Sequence, residues 1–434
     1  MFNFFKQLFS KKDIRYASVG SVGIKFGSAF FAFLNGVLLA RYLTVEGFGY
    51  YVLSFSTIMI LSIPITAGIP SLITRYVSKY EVNSNIAAIK GLLIRTNGYA
   101  LIAIAGIYAL AVLTYFFWWN QYAPVLVETL FYAFLLLPLL GLGALRSAAL
   151  RGLKLVILAE LPDTLLRNGL LTVFIGVCIA SDITLTPQLA IIFQVVSAAI
   201  GFVVGLYFLQ KKLLRHLKSV TAKYHNKEWF KQTIPFSINS GIQVLKLKLL
   251  SYVLVIFGSI EAVAIFDVAM RGAALVSFTL DALNMAIAPF ISSAFEHGNK
   301  KDLQNIVKKT ARIIFATSLP VALLFIIGGE QLIELIFGIE YTLAYIPLAI
   351  LCVGQLVNAM TGSVGLVLNM TGYQSVFSKF NIILLIINLL CSIPAIIYFD
   401  VVGASLVFSG ILIIQNILLI YQVRKRLQIN TTIF

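Results

Sequence analysis

Charge is what this chain has least of. Only 12% of its 434 residues are Asp, Glu, Lys or Arg, against about 25% in an ordinary soluble protein. Acids are the scarcer sign, 17 beside 33 Lys and Arg. So few charges exclude a soluble globular class for a chain of this length. Cysteine is almost missing. Cys178, Cys352 and Cys391 all fall within apolar runs, so a disulfide framework is excluded and packing is their expected role. His216, His225 and His297 lie in polar stretches. No apolar run holds a His or Cys cluster with metal-ligand spacing, and no metal or other cofactor is expected.

What the chain does have is hydrocarbon. It is 60% hydrophobic, with a mean hydropathy of +0.95. Apolar runs recur at 17–40, 49–69, 97–117, 123–145, 155–180, 187–209, 233–258, 263–292, 312–329, 343–368, 376–398 and 402–422. About 20 residues cross a hydrocarbon core roughly 30 Å thick as a helix. The fold class is therefore an all-α polytopic membrane protein of about twelve transmembrane helices. The first run is too long for a signal-peptide core and is expected to stay as a span. Before it, "MFNFFKQLFSKK" sets Phe2, Phe5 and Phe9 on one helical face, which suits an interfacial segment over 1–16.

The net charge of +16 would suggest nucleic acid in a soluble chain, but its distribution points to a membrane. The connections alternate. One set holds 27 of the 33 Lys and Arg residues; the other holds Arg41 alone, with Glu46, Asp182, Glu261, Glu330, Glu334, Glu340 and Asp400. Basic connections stay cytoplasmic, so both termini are expected in the cytoplasm and the protein in the cell membrane, with no nucleic-acid partner. The acidic-side connections are too short for a catalytic domain, and an enzyme is not expected. The basic stretch 210–232, "KKLLRHLKSVTAKYHNKEWFK", divides the spans six and six, giving an N-lobe at 17–209, a C-lobe at 233–422 and a tail at 423–434. The halves look related. "VEGFGYYVLSF" from Val45 is echoed by "IEAVAIFDVAM" from Ile260. Gly152 of "ALRGLK" and Gly372 of "NMTGYQ" follow in the same order at nearly the same separation. Such duplications are common in transporters.

Five basic residues remain inside spans: Lys25, Arg167, Lys246, Lys248 and Arg271. A charge at mid-bilayer costs roughly 2.5–3.5 kcal/mol on insertion scales, so these side chains are expected to face water, pair or snorkel. Ser18, Ser21, Lys25, Ser28, Ala32 and Asn35 share one helical face, either a cavity lining or a small-residue helix contact. In "QVLKLKLLSYVL", Lys246 continues the stripe of Asn239 and Gln243, while Lys248 lies about 200° round the helix. Lys246 is the better cargo-facing candidate, and Lys248 is expected to pair. Asp163 with Arg167, and Asp267 with Arg271, stand four apart and suit mutual neutralisation. Glu160 shares the face of the first pair, and Asp281 and Met285 extend the second. Glu128 has no local partner; it is either a buried proton carrier or a group solvated at the outer interface. Pro64, Gly68 and Pro70 should interrupt the second span just before Arg75.

The chain resembles the polysaccharide-transport, Wzx-like flippase family of the multidrug/oligosaccharidyl-lipid/polysaccharide (MOP) exporter superfamily. The resemblance is carried by "LLARYLTVEGFGYYVLSFS", "GIPSLITRYVSKY", "ALRGLKLVILAELPDTLLRNGLL", "FGSIEAVAIFDVAMR" and "LNMTGYQSVFSKFNIILLIINLLCSIPAIIYFDVVGASLVFS", in order along nearly the whole chain. It implies two six-helix lobes around a central cavity. It also implies transport of an undecaprenyl-diphosphate-linked oligosaccharide, an O-antigen, capsule or exopolysaccharide unit, from the cytoplasmic to the outer leaflet by alternating access. On that reading Lys25, Arg75, Arg167, Lys246 and Arg271 bind cargo, with Lys25 and Lys246 at equivalent places in the two halves. Lys248, Asp163, Asp267, Asp281 and Glu128 are structural or coupling groups. Membrane lipids and polysaccharide polymerase or chain-length machinery are the implied partners. The family often has an acidic or neutral residue near position 246, so two lysines there favour an anionic cargo. The alternatives are a MATE-like cation-coupled exporter of small molecules and, with less support, a membrane glycan polymerase or ligase.

Overall fold

A computed structural model describes residues 11–217 and 219–433. The three phenylalanines of the expected interfacial segment precede residue 11 and lie outside the described residues, as do the side chains of Ser18, Ser21, Asn239 and Met285. The described secondary structure is helical, without strands. In hydrocarbon this lets each apolar segment satisfy its backbone internally.

The helices run α1 (Lys11–Tyr42), α2 (Val45–Leu61), α3 (Ile63–Thr66), α4 (Ile69–Val82), α5 (Ile86–Trp118), α6 (Pro124–Phe134), α7 (Leu136–Gly152) and α8 (Val156–Leu161). A π-helical turn at Pro162–Leu166 leads into α9 (Arg167–Ala180) and α10 (Pro187–Leu209). Then come α11 (Asn226–Phe257), α12 (Ile260–Glu296), α13 (Lys300–Phe337), α14 (Tyr345–Thr361), α15 (Val364–Met370) and α16 (Gln374–Leu427). Among the described residues, ten helical stretches are long and apolar enough to cross a membrane. Two facts raise this to the twelve spans read from hydropathy. The segments Val45–Leu61 and Ile63–Val82 form one span bent by 46°; the bend lies beside Pro64 and Gly68, whose φ is +84°. And α16, with 54 residues, would measure roughly 80 Å if straight. It breaks at Asp400, whose φ/ψ of 46°/−127° is not helical. The protein is a multi-pass membrane protein.

By internal contacts the chain forms two units, Met1–Leu43 with Leu53–Val244, and Thr44–Val52 with Leu245–Phe434. The joins between helices repeat along the chain. Thr44 caps α2 by accepting from the Gly47 N–H at 3.0 Å, and Ser259 caps α12 by accepting from the Ala262 N–H at 3.1 Å. Both caps stand immediately before the paired sequences that begin at Val45 and Ile260. Ser84 and Gly298 both have positive φ, and the following Asn85 and Asn299 each cap the next helix with their side chains. Lys154 and Gly372 are left-handed at 63° and 85°. After each, a backbone N–H bonds five residues back, Leu155 to Leu150 and Tyr373 to Leu368. Asp182 and Asp400 complete the series at 53° and 46°.

The turn geometry therefore aligns Gly372 with Lys154 and not with Gly152. Gly152 has a packing role: a Cβ there would lie 2.7 Å from Val77 and 3.0 Å from the Thr74 carbonyl, so glycine lets α7 and α4 meet closely. In the register of the first join, Thr44 with Ser259, Lys246 corresponds to Phe31 rather than to Lys25. The two lysines lie on equivalent helices but at different positions.

The basic stretch after α10 is docked on the first unit. The Lys223 N–H donates to the Ala87 carbonyl at 3.0 Å, and the Lys90 ammonium donates to the Val220 carbonyl at 2.9 Å. Glu228 accepts from the Tyr76 hydroxyl at 2.8 Å and from Lys79 at 3.2 Å, and the Trp229 indole donates to the Tyr80 hydroxyl at 3.0 Å. The Tyr76 hydrogen bond, followed by Lys79 and His225, lowers the Glu228 carboxyl below its ordinary value against a smaller opposing effect of burial. A carboxyl depressed in the folded state stabilises above its unfolded pKa of about 4.3, and that contribution vanishes as pH falls through the folded value. Glu228→Gln should therefore lower the Tm at pH 7 and flatten its decline between pH 5 and 3, measured by thermal unfolding in detergent. An unchanged acid limb would refute the clasp.

Candidate functional site

In the first unit Ser28 and Asn35, on the polar stripe of α1, make helix contacts. Asn168 of α9 donates to the Ser28 hydroxyl at 3.1 Å, Asn35 donates to the Asn168 carbonyl at 2.9 Å, and Thr172 donates to the Asn35 side-chain oxygen at 2.7 Å. Lys25 is exposed.

The acids of the fifth span meet arginines of α7. Asp163 pairs with Arg146 at 2.5 Å, and Glu160 with Arg151 at 3.3 Å. Asp163, expected to neutralise Arg167 four residues on, sits in the π turn and makes its ion pair with Arg146; there the i→i+5 pattern widens the helix and residues four apart no longer stack. Arg146 is 5% exposed. Its guanidinium also donates to the Gly201 and Phe202 carbonyls at 3.2 and 2.7 Å, and lies over the Phe202 ring. Glycine makes the room: a Cβ on Gly205 would stand 2.1 Å from the guanidinium carbon. By hydropathy alone Arg146 falls in a basic loop. The signal for a buried site is the small-residue run "GLGALRSAALRG", which continues helically through it.

Glu128 is exposed and accepts from Gln188 at 3.0 Å. Arg75, on the first turns of α4, lines a pocket of about 340 Å³ with Pro70, Ser71, Thr74 and Arg151.

In the second unit the two lysines of α11 part company. The Lys246 ammonium donates to the Asn381 and Gln415 side-chain oxygens at 3.1 and 2.5 Å. None of the ion pairs among the described residues involves it. Lys248 lies in the field of Asp267 and Arg271. Those two pair with each other at 2.5 Å, and Arg271 also lies over the Phe48 ring. Asp281 is exposed on α12. A second amide set joins Asn416 to Asn358 at 3.1 Å and Asn358 to Gln355 at 3.2 Å. Amides escape a reading built on charge, although Asn381, Asn388 and Ser392 mark one buried face of α16 at helical spacing.

In the register of the Lys154 and Gly372 turns, Asp163 and Asn381 are equivalent positions. Each accepts from a cation, Arg146 in one unit and Lys246 in the other, but only the first acceptor is charged. What this arrangement can do is hold a positive charge within the second unit beside neutral dipoles, so that an anion gains by approaching.

Breaking a buried ion pair by removing one partner costs about 3–5 kcal/mol. Asp163→Ala should lower unfolding stability by about that much, and Gly205→Ala should cost a similar amount by expelling Arg146. In thermal or denaturant unfolding the double variant should lose clearly less than the two single losses added together. Strict additivity would show that Gly205 does not serve the pair.

The chain matches the family model described as polysaccharide biosynthesis protein over residues 21–295, and the MatE model over 235–393. It is 26% identical over 234 residues to the capsular polysaccharide biosynthesis protein CapF of Staphylococcus aureus. That match covers 51% of this chain and 56% of the relative, so it spans little more than half of the relative's length. The fold is similar to an inward-facing multidrug resistance MATE family transporter of the MOP superfamily, with TM-score 0.78, 15% identity and coverage of 92% and 94% of the two chains. It is also similar to the lipid II flippase MurJ in an inward closed conformation, with TM-score 0.71, 13% identity and coverage of 94% and 87%. The twelve-span helical architecture and the match across more than half its length place this chain in the polysaccharide biosynthesis protein family.

Proposed function

We propose that the chain is a flippase for an undecaprenyl-diphosphate-linked oligosaccharide, carrying it from the cytoplasmic to the outer leaflet of the cell membrane with both termini cytoplasmic. The observation that carries this reading is the Lys246 ammonium, held only by the amide oxygens of Asn381 and Gln415 among its hydrogen-bond partners in the described residues. A diphosphate and a hydroxyl-rich glycan are costly to drag through hydrocarbon. A positive charge beside amides offers both an electrostatic partner and sugar-compatible hydrogen bonds. The family match, the capsular relative and the likeness to a lipid II flippase support it. Likeness to a transporter captured facing inward supports alternating access. Lys25, Arg75 and Arg167 in the first unit and Arg271 in the second are assigned to cargo binding, each within its own unit. The protein acts as a carrier and not as an enzyme, beside the polymerase and chain-length machinery that uses the delivered units.

The second reading, a MATE-like cation-coupled exporter, draws on the MatE match over 235–393. An acidic interior would suit it better than Lys246 does, and drug efflux from vesicles separates the two.

In proteoliposomes containing lipid-linked oligosaccharide, Lys25→Ala and Lys246→Ala should each cut translocation at least tenfold with the protein still folded. Asn381→Asp should impair it comparably by neutralising Lys246. Full translocation in both alanine variants would defeat the assignment.

A further inference from the structure

We propose that the pocket between the first turns of α4 and the last turn of α7 is a phosphate-anion subsite, with Arg75 and Arg151 as its two cations. The inference rests on the reading of the cargo as a diphosphate-linked lipid, and it lies wholly within the first unit, apart from the Lys246 amide cage in the second.

Four features converge there. The pocket holds about 340 Å³ and is lined by Pro70, Ser71, Thr74, Arg75 and Arg151. That volume falls in the small-ligand range of about 300–1,000 Å³. Its two guanidiniums come from different helices, so a ligand between them is gripped from two sides by forked donors suited to phosphate oxygens. Its wall is a helix start. Gly68 turns the chain at φ +84° and Pro70 opens α4, so the Ser71 N–H lies in the first turn, where N–H groups lack intrahelical acceptors and the dipole favours anions. Finally, its base is fixed. The Thr74 hydroxyl donates to the Ala148 carbonyl at 3.1 Å, and Gly152 brings α7 against Val77.

Arg151 is held by Glu160 at 3.3 Å while its side chain stays 34% exposed. An entering phosphate would share or take over that guanidinium, so Glu160 competes with the ligand. This makes the site adjustable. The carboxylate neutralises Arg151 when the pocket is empty and weakens the grip enough for the cargo to move on.

The test is calorimetric titration of the purified full chain in detergent with inorganic diphosphate and with inorganic phosphate. Diphosphate should bind more tightly than phosphate. Arg75→Ala and Arg151→Ala should each weaken diphosphate binding at least tenfold, and Lys308→Ala, on the second unit, should leave it unchanged. Glu160→Gln should tighten binding severalfold by releasing Arg151, a gain that a misfolded variant cannot produce. Wild-type affinity in both arginine variants, or weaker binding in Glu160→Gln, overturns the site. Repeating the titration in phosphatidylglycerol nanodiscs separates the sources. Persistence of diphosphate binding supports a cargo subsite, and its loss assigns the pocket to bulk lipid headgroups and overturns the cargo role. Wild-type proteoliposomes that bind diphosphate but flip no lipid-linked oligosaccharide would count against the proposed function alone. Flipping that persists alongside arginine-insensitive binding would count against this site alone.

Discussion

An ionised side chain in a membrane-crossing helix must find compensation, and the chain solves this problem differently in its two halves. In the first, Asp163 and Glu160 each meet an arginine of the preceding helix. Glycines at 201 and 205 bring α10 close around the first of these pairs. In the second, the position equivalent to Asp163 is Asn381, and the cation that reaches it is Lys246. An amide oxygen stabilises an ammonium through its dipole without cancelling its charge. One duplicated scaffold thus holds a neutralised pair at one place and a charge beside neutral dipoles at the other.

That difference bears on the proposed cargo. A fold shared with multidrug transporters does not by itself say what a chain carries. The sign of the interior says more. Arg271 has its own carboxylate in Asp267, and Lys248 lies in the field of that pair. Lys246 donates to the amide oxygens of Asn381 and Gln415, a setting that suits the proposed diphosphate and sugar cargo.

The twelve spans were legible because hydropathy over about 20 residues integrates over local detail. The bend near Gly68 was legible from Pro64, Gly68 and Pro70. The separation of Lys246 from Lys248 followed from helical phase alone. What could not be read was whatever depended on contacts distant in sequence. The Asp163–Arg167 spacing suggests a pair only in a regular helix, and the π turn at Pro162–Leu166 removes that condition. Gly201 shows how closely α10 presses on it, since a Cβ there would lie 2.6 Å from the Pro162 carbonyl. The duplication was visible in sequence, but its register was not. Matching residue types pairs Gly372 with Gly152, whereas the left-handed turns pair it with Lys154, because only one of the two halves fills that turn with glycine.

Lys154 has a consequence of its own. A left-handed conformation costs a residue with a Cβ roughly 1–2 kcal/mol relative to the usual basin, and the sister turn avoids that cost with glycine. The lysine adds a positive charge to a connection that also carries Arg151. Orientation is decided as the spans emerge and insert, before helices have packed, and it is read from such charges. At this turn the finished fold tolerates a slightly strained backbone in exchange for one more positive charge of the kind from which orientation is read.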